Sequence, residues 1–343
     1  MDTRPPSLED WKKLYSLMEP LKELAPWDYM HEDDIFGFQL PGTETLGFVS
    51  IMGTLGEHLS MAVYLGAKGL DGFWKMQELG DRLMPQFVLQ IPQIQASFEN
   101  REDVTDEDRK IIKSLGLKFR GAQSWPQFRS FRPGCFPWYI EKWEADLLIC
   151  ALEQVLEVAP RFRENPDIFM PTDSDDDYLV RVRKNDQWED TVVRVEPLEE
   201  HTFRLKMNMK ALSQLKQQMP GKMIIEADFF MLDQQPTQEK RKERPFFPFM
   251  LLLVDHDSQF ILGSKLLSPL PSMEAMMEEV PAKLVEALAK GFPPKEIHVK
   301  DGTFHTLLQP VAEEVGFKLV KASRLRAIEM AQREFSRFMG MGF

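Results

Sequence analysis

Apolar positions recur at helical spacing in some stretches of the chain and alternate, or run unbroken, in others. Leu8, Trp11, Leu14, Met18 and Leu21 share one helical face behind Ser7 and Asp10, a capping pair. Pro20 is expected to bend that helix or end it early. Two strand-like segments follow, "LGFVSIMG" and "LSMAVYLG", separated by "TLGEH". A helix over "GLDGFWKMQELG" leads to an extended piece, "PQFVLQIPQI", and Thr105 caps a short helix, "DEDRKIIKSLG". The aromatic stretch "RGAQSWPQFRSFRPGCFPWYI" is punctuated by Pro and Gly and reads as strand and loop. A long helix is predicted from about Glu141 to Arg163, stopped before Asn165-Pro166. These elements make residues 1–170 an α+β domain.

Residues 171–220 read as a connecting segment, one that extends the first domain or serves as a platform joining the two. "PTDSDDDY" marks the boundary, and "YLVRVRK" and "QWEDTVVRVEP" alternate as a β-hairpin about Asn185-Asp186. A short helix, "KALSQLKQQM", then precedes Pro220-Gly221. In residues 221–343 the strands "KMIIEADFFML", "FPFMLLLVDH" and "QFILGSKLL" come first, with "QEKRKER" looping between the first two. Ser272 caps a helix carrying Met273, Met276, Val280, Leu284 and Leu288, with Pro281 predicting a kink and Gly291 an end. The strand "KEIHVK", a helix with Phe304, Leu307, Leu308 and Val311 stopped at Gly316, the strand "FKLVKA" and a last helix after Ser323 complete the chain. The order is β-β-β-α-β-α-β-α.

Composition changes this picture only at its edges. The 343 residues are 43% hydrophobic and 28% charged, an ordinary globular balance that suffices for two domains. The apolar runs are too short to span a bilayer, the N-terminal "MDTRPPSLEDWKK" lacks the apolar core of a secretory signal, and Cys135 and Cys150 are the only cysteines. A cytoplasmic protein is therefore expected, with no membrane partner. The net charge of −12 disfavours nonspecific coating of nucleic acid. That charge sits almost wholly before residue 221, because residues 221–343 hold 16 basic and 17 acidic side chains.

Most candidate chemistry has a plain structural reading. Asp255 and Asp257 in "VDHDS" suit a hairpin turn, where short polar side chains bond the local backbone. Asp173 to Asp177 reads as a solvated acidic linker, since Tyr178 and Lys184 stand where a calcium loop needs Gly and Glu. None of His31, His58, His201, His256, His298 and His305 pair at helical spacing, and the two flanking Asp301 are read as structural or surface groups. Gly53 and Gly56 suit a tight turn, and Cys150 falls among helical core positions with Leu147, Leu148, Ala151 and Leu152. The twenty methionines read as core filling or a yielding interface.

The last third carries a family resemblance. "EADFFMLD", "LLLVDHDSQFILGSKL", "EIHVKDGTFHTLL" and "AIEMAQREF", in that order, resemble the strands and last helix of the ribonuclease H-like fold of transposases and retroviral-type integrases. The resemblance implies an α/β ribonuclease H-like domain over 221–343, with a mixed sheet. It also implies three carboxylates, Asp228, Asp301 and Glu329, as catalytic and metal-binding residues holding Mg or Mn. Two-metal phosphoryl transfer needs hard oxygen ligands on both sides of the scissile phosphate. Departures from the family's pattern are Lys300 before Asp301 and the lack of a Gly before Glu329, and periodicity does not choose between Glu329 and Glu334 as third acid. Arg324, Arg326, Arg333 and Arg337 on the last helix are the candidate nucleic-acid contacts, with a solvated helix face as their bland reading. The stretch "DIFGFQLPGTETLGFVSIMGTLGEHLSMAVYLGAKGLDGFW" resembles an uncharacterised bacterial domain that brings no catalytic residues. The expectation is a non-catalytic binding or scaffolding protein built on a degenerate ribonuclease H-like domain, its partner a protein or a nucleic acid. The alternative is a divalent-metal-dependent nuclease or strand-transferase.

Overall fold

The structure, a computed structural model, describes residues 2–82, 85–170, 172, 174–196, 198, 203–219, 221–233, 236–240, 243–291 and 293–338. Asp173, His201 and Pro220, named above, lie outside them. The chain divides into two mixed α/β units, one of residues 1–132 and 137–199, the other of residues 133–136 and 200–343.

In the first unit, α1 (Leu8–Leu24) starts at Ser7, whose hydroxyl caps Asp10 N–H while Asp10 returns a bond to the Ser7 backbone. Pro20 lies inside this helix without ending it, and Ala25 closes it in the left-handed conformation. Then come β1 (Phe36–Gln39), β2 (Leu46–Met52), β3 (Ser60–Leu65), α2 (Gly66–Leu79), the single turn α3 (Pro85–Val88) and β4 (Gln93–Glu99). The piece expected to be extended from Pro85 is thus helical in its first turn. α4 (Asp106–Ser114), β5 (Trp125–Phe131), α5 (Lys142–Glu164), β6 (Asp177–Lys184) and β7 (Gln187–Arg194) complete the unit.

Among the described residues these strands form a seven-stranded sheet in the order β5-β4-β3-β2-β1-β6-β7. All pairs are antiparallel except β1 with β6, which run parallel. The hairpin expected as a connecting segment therefore belongs to the first sheet, because β6 returns after α5 to complete the open edge of β1. Period-two alternation separates two cores. Val49, Ile51, Met61 and Val63 face one side with residues of α1 and α5, while Phe48, Ala62 and Tyr64 face the other with Leu70 and Phe73 of α2. With both faces covered, β2 and β3 are buried almost continuously.

The second unit opens with α6 (Met209–Lys216), followed by β8 (Ile224–Met231), β9 (Phe249–Asp255) and β10 (Ile261–Leu267). α7 (Met273–Leu288), β11 (Glu296–Val299), α8 (Gly302–Val315), β12 (Lys318–Lys321) and α9 (Arg326–Phe338) follow. The sheet order is β10-β9-β8-β11-β12. β8, β9 and β10 are antiparallel neighbours, and β8, β11 and β12 run parallel. α7 packs with α6 and α8. On another face of the sheet Leu325, Ala327 and Ile328 of the last helical segment close over Met250, Leu252 and Val254 of β9. β9 is buried along its whole length, which is why its sequence is an unbroken apolar run. Among the described residues no helix is long and apolar enough to cross a membrane.

Candidate functional site

β8 carries Glu226 and Asp228 two residues apart, hence on the same side of the sheet. The parallel register of β8 and β11 sets Glu226 beside His298. Asp228 lies two residues further along β8, and Lys300 follows the end of β11. Asp301 follows as the N-cap of α8, its Oδ1 accepting the Phe304 N–H at 2.7 Å. A short acidic side chain at this position is what an N-terminal cap requires, so the "KDGTF" pattern has a structural cause of its own. Lys321 of β12 comes to the same end of the sheet: a Cβ placed on Gly302 would lie 3.3 Å from its Nζ.

Asp228 is partly buried. Its Oδ1 accepts its neighbour Phe229 N–H at 2.9 Å, and its Oδ2 faces the Gln332 amide of α9 at 3.4 Å. Burial pushes its carboxyl above the usual aspartate range and the Asp301 carboxylate adds to this, against the lowering effects of Phe229 N–H, Lys300 and Gln332. Glu329 of α9 bonds to the Arg324 guanidinium through both oxygens, at 2.6 to 3.0 Å. That bonding holds Glu329 below the usual glutamate range, with smaller contributions from Arg333 and Lys300.

The helix therefore offers Asp228 an amide from Gln332, while Glu329 is spent on Arg324. Glu334 is bonded to Arg337 at 2.8 Å. Among the described residues no group of three or more His, Cys, Asp or Glu side chains stands where it could hold a metal ion. Carboxylates engaged in a cap, an arginine fork and an amide contact do not form the open oxygen shell that Mg²⁺ or Mn²⁺ needs. Of the four arginines, Arg324 and Arg337 are committed to carboxylates of their own segment, and Arg326 and Arg333 are exposed.

One residue with a clear task lay outside the sequence reading. Glu226, 1% exposed, accepts the N–H groups of Ala327 at 2.8 Å and Ile328 at 3.1 Å through Oε2. It is the cap for the first turn of α9, supplied by a strand a hundred residues earlier. Its Oε1 lies 2.7 Å from His256 Nδ1. His256 is thus more than part of a turn, and its ring lies 5.7 Å from that of His298, which bonds Glu296 at 3.2 Å. Asp255, by contrast, does turn work: its Oδ1 accepts Ser258 N–H and Oγ–H, each at 2.6 Å, which lowers its proton affinity. The signal available in the sequence was a lone Glu inside an apolar strand, two residues before Asp228.

Comparisons with known proteins give families without functions. A model described as "Domain of unknown function (DUF7309)" matches residues 11–181, and one described as "Domain of unknown function (DUF6930)" matches residues 211–336. The first match runs into β6 and the second begins within α6. No curated protein matches the sequence. Among solved structures, a chain from "Crystal structure of the Mos1 Strand Transfer Complex" is similar at 11% identity and a TM-score of 0.19, over 65% of this chain and 56% of that one. So loose a superposition assigns no residue a role.

Proposed function

We propose that the protein is a non-catalytic binding or scaffolding protein whose second unit is a degenerate ribonuclease H-like domain. Three antiparallel strands followed by two parallel ones, in the order β10-β9-β8-β11-β12 with helices between the last strands, support the fold assignment. The observation that carries the functional reading is the Gln332 amide opposite Asp228, with Glu329 turned to Arg324. An amide donates to a carboxylate; it adds no charge to a cation shell. Such a site arranges its carboxylates without offering a metal their free oxygens.

A second reading, a metal-dependent nuclease or strand-transferase acting on nucleic acid, draws on Asp301 standing near enough to Asp228 for its charge to add to burial in raising the Asp228 carboxyl. Incubation of the full chain with single- and double-stranded DNA and RNA in Mg²⁺ or Mn²⁺ separates the two. The proposal expects no cleavage or joining above that of Asp228→Asn. Metal-dependent turnover that Asp228→Asn abolishes would establish the enzyme instead.

A further inference from the structure

Among the described residues β10 is an end strand of the second sheet, and it is largely apolar. An end strand presents unpaired N–H and C=O groups, which natural sheets guard with charged side chains, bulges or a covering element. β12, at the opposite end, carries Lys318 and Lys321, both exposed. β10 has one charge, Lys265, and a register shift between Ile261 and Gly263 that leaves residues 263–267 in regular pairing with β9. Ser264 and Leu266 stand opposite Leu252 and Met250, on the side where Leu325, Ala327 and Ile328 cover β9. That cover stops short of β10: Leu266 is 64% exposed, and Phe260, just before the strand, is 71% exposed. With Ile261 and Leu262, also exposed, they make an apolar patch on the order of 400 Å², a size at which such surface is often functional.

We infer that a second copy of this chain docks on β10, strand to strand and antiparallel, joining the two second-unit sheets into one. The strand is complementary to itself. With Ser264 on the two-fold axis, Leu266 of each copy falls opposite Leu262 of the other and Lys265 opposite Gly263, so apolar meets apolar and no two lysines oppose. A foreign chain of either charge would find a single lysine to read, whereas the second copy needs no charge at all. Two such patches, with the strand backbones between them, bury about 1,000 Å² in total, the lower limit of a specific protein contact. The association is therefore weak, in the micromolar range. It does not depend on the state of Asp228 or Asp301, and so goes beyond the reading above.

Sedimentation equilibrium of the full chain, from about 1 to about 200 µM, reads the mass directly. Wild type is expected to pass from monomer to dimer across that range. Ser264→Lys sets two ammonium groups face to face on the axis, and Leu266→Lys places a charge in the apolar patch. Each should weaken association by at least about tenfold and leave a monomer at the highest concentration. Both positions are exposed, so circular dichroism should show the wild-type fold. Leu55→Lys, which changes an exposed Leu between β2 and β3, should dimerise as wild type does. A wild type that is monomeric throughout overturns the inference and leaves the edge to another chain or to none. A dimer that survives both β10 substitutions overturns it as well, since the contact then lies elsewhere.

Discussion

Replacing Glu226 by Ala tests how the second unit holds its last helix. The side chain is 1% exposed and its Oε2 is the acceptor for two backbone N–H groups at the start of α9. Loss of a helix cap costs about 0.5–2 kcal/mol, and each buried donor left without a partner costs about 1–3 kcal/mol. Part of this is recovered where water enters, and His256, 41% exposed at its side chain, can bond solvent once its partner is gone. The expected loss is therefore about 3 kcal/mol for Glu226→Ala. Glu226→Gln keeps an oxygen for Ala327 and Ile328 and turns its amide N–H toward His256 Nδ1, so it should cost only about 1 kcal/mol. Urea unfolding followed by circular dichroism measures both, with the transition of each unit fitted separately, since a two-unit chain need not unfold in one step. A Glu226→Ala loss under about 0.5 kcal/mol, or a Gln variant as damaged as Ala, would refute the capping role.

Three other perturbations have definite expected outcomes. Asp228 is raised chiefly by burial, so it binds its proton more tightly folded than unfolded. Its contribution is then favourable below the ordinary aspartate range and is lost as pH rises through the folded value. Asp228→Asn should raise the thermal midpoint at pH 7, and the gain should shrink toward zero as pH approaches 3; an equal gain at both pH values would contradict this. Arg181, 3% exposed, bonds Gln154 at 3.1 Å, Asp190 at 2.7 Å and Glu157. Arg181→Ala should lower stability by about 2–3 kcal/mol, and Arg181→Met by less because it fills the same space; denaturant titration resolves the two. A Cβ on Gly47 would stand 2.7 Å from the Phe38 ring and 2.9 Å from Val63, so Gly47→Ala should cost about 1–3 kcal/mol, and a midpoint unchanged from wild type would count against that packing.

What the sequence made legible was what neighbouring residues settle among themselves. The caps at Ser7, Thr105 and Ser272 all use side chains within three residues of the N–H they bond. The β9–β10 hairpin was equally open to view, since its turn is closed by Asp255 and Ser258. Partnerships across long separations were not. β6 pairs with β1 in parallel, some 140 residues apart, and no local pattern marks such a choice. The role of Glu226 was not visible in its own strand because its task depends on α9, and an amide such as Gln332 on a helix face carries no local signal. Asp228 lies in β8, Asp301 caps α8 and Glu329 lies on α9, and their partners decide what they do.

The most direct test of the central claim is calorimetric titration of Mn²⁺ into the wild-type protein, with Asp228→Asn in parallel. The account predicts no saturable heat in the wild type and indistinguishable traces for the two. Saturable binding in the wild type that disappears in Asp228→Asn would contradict it.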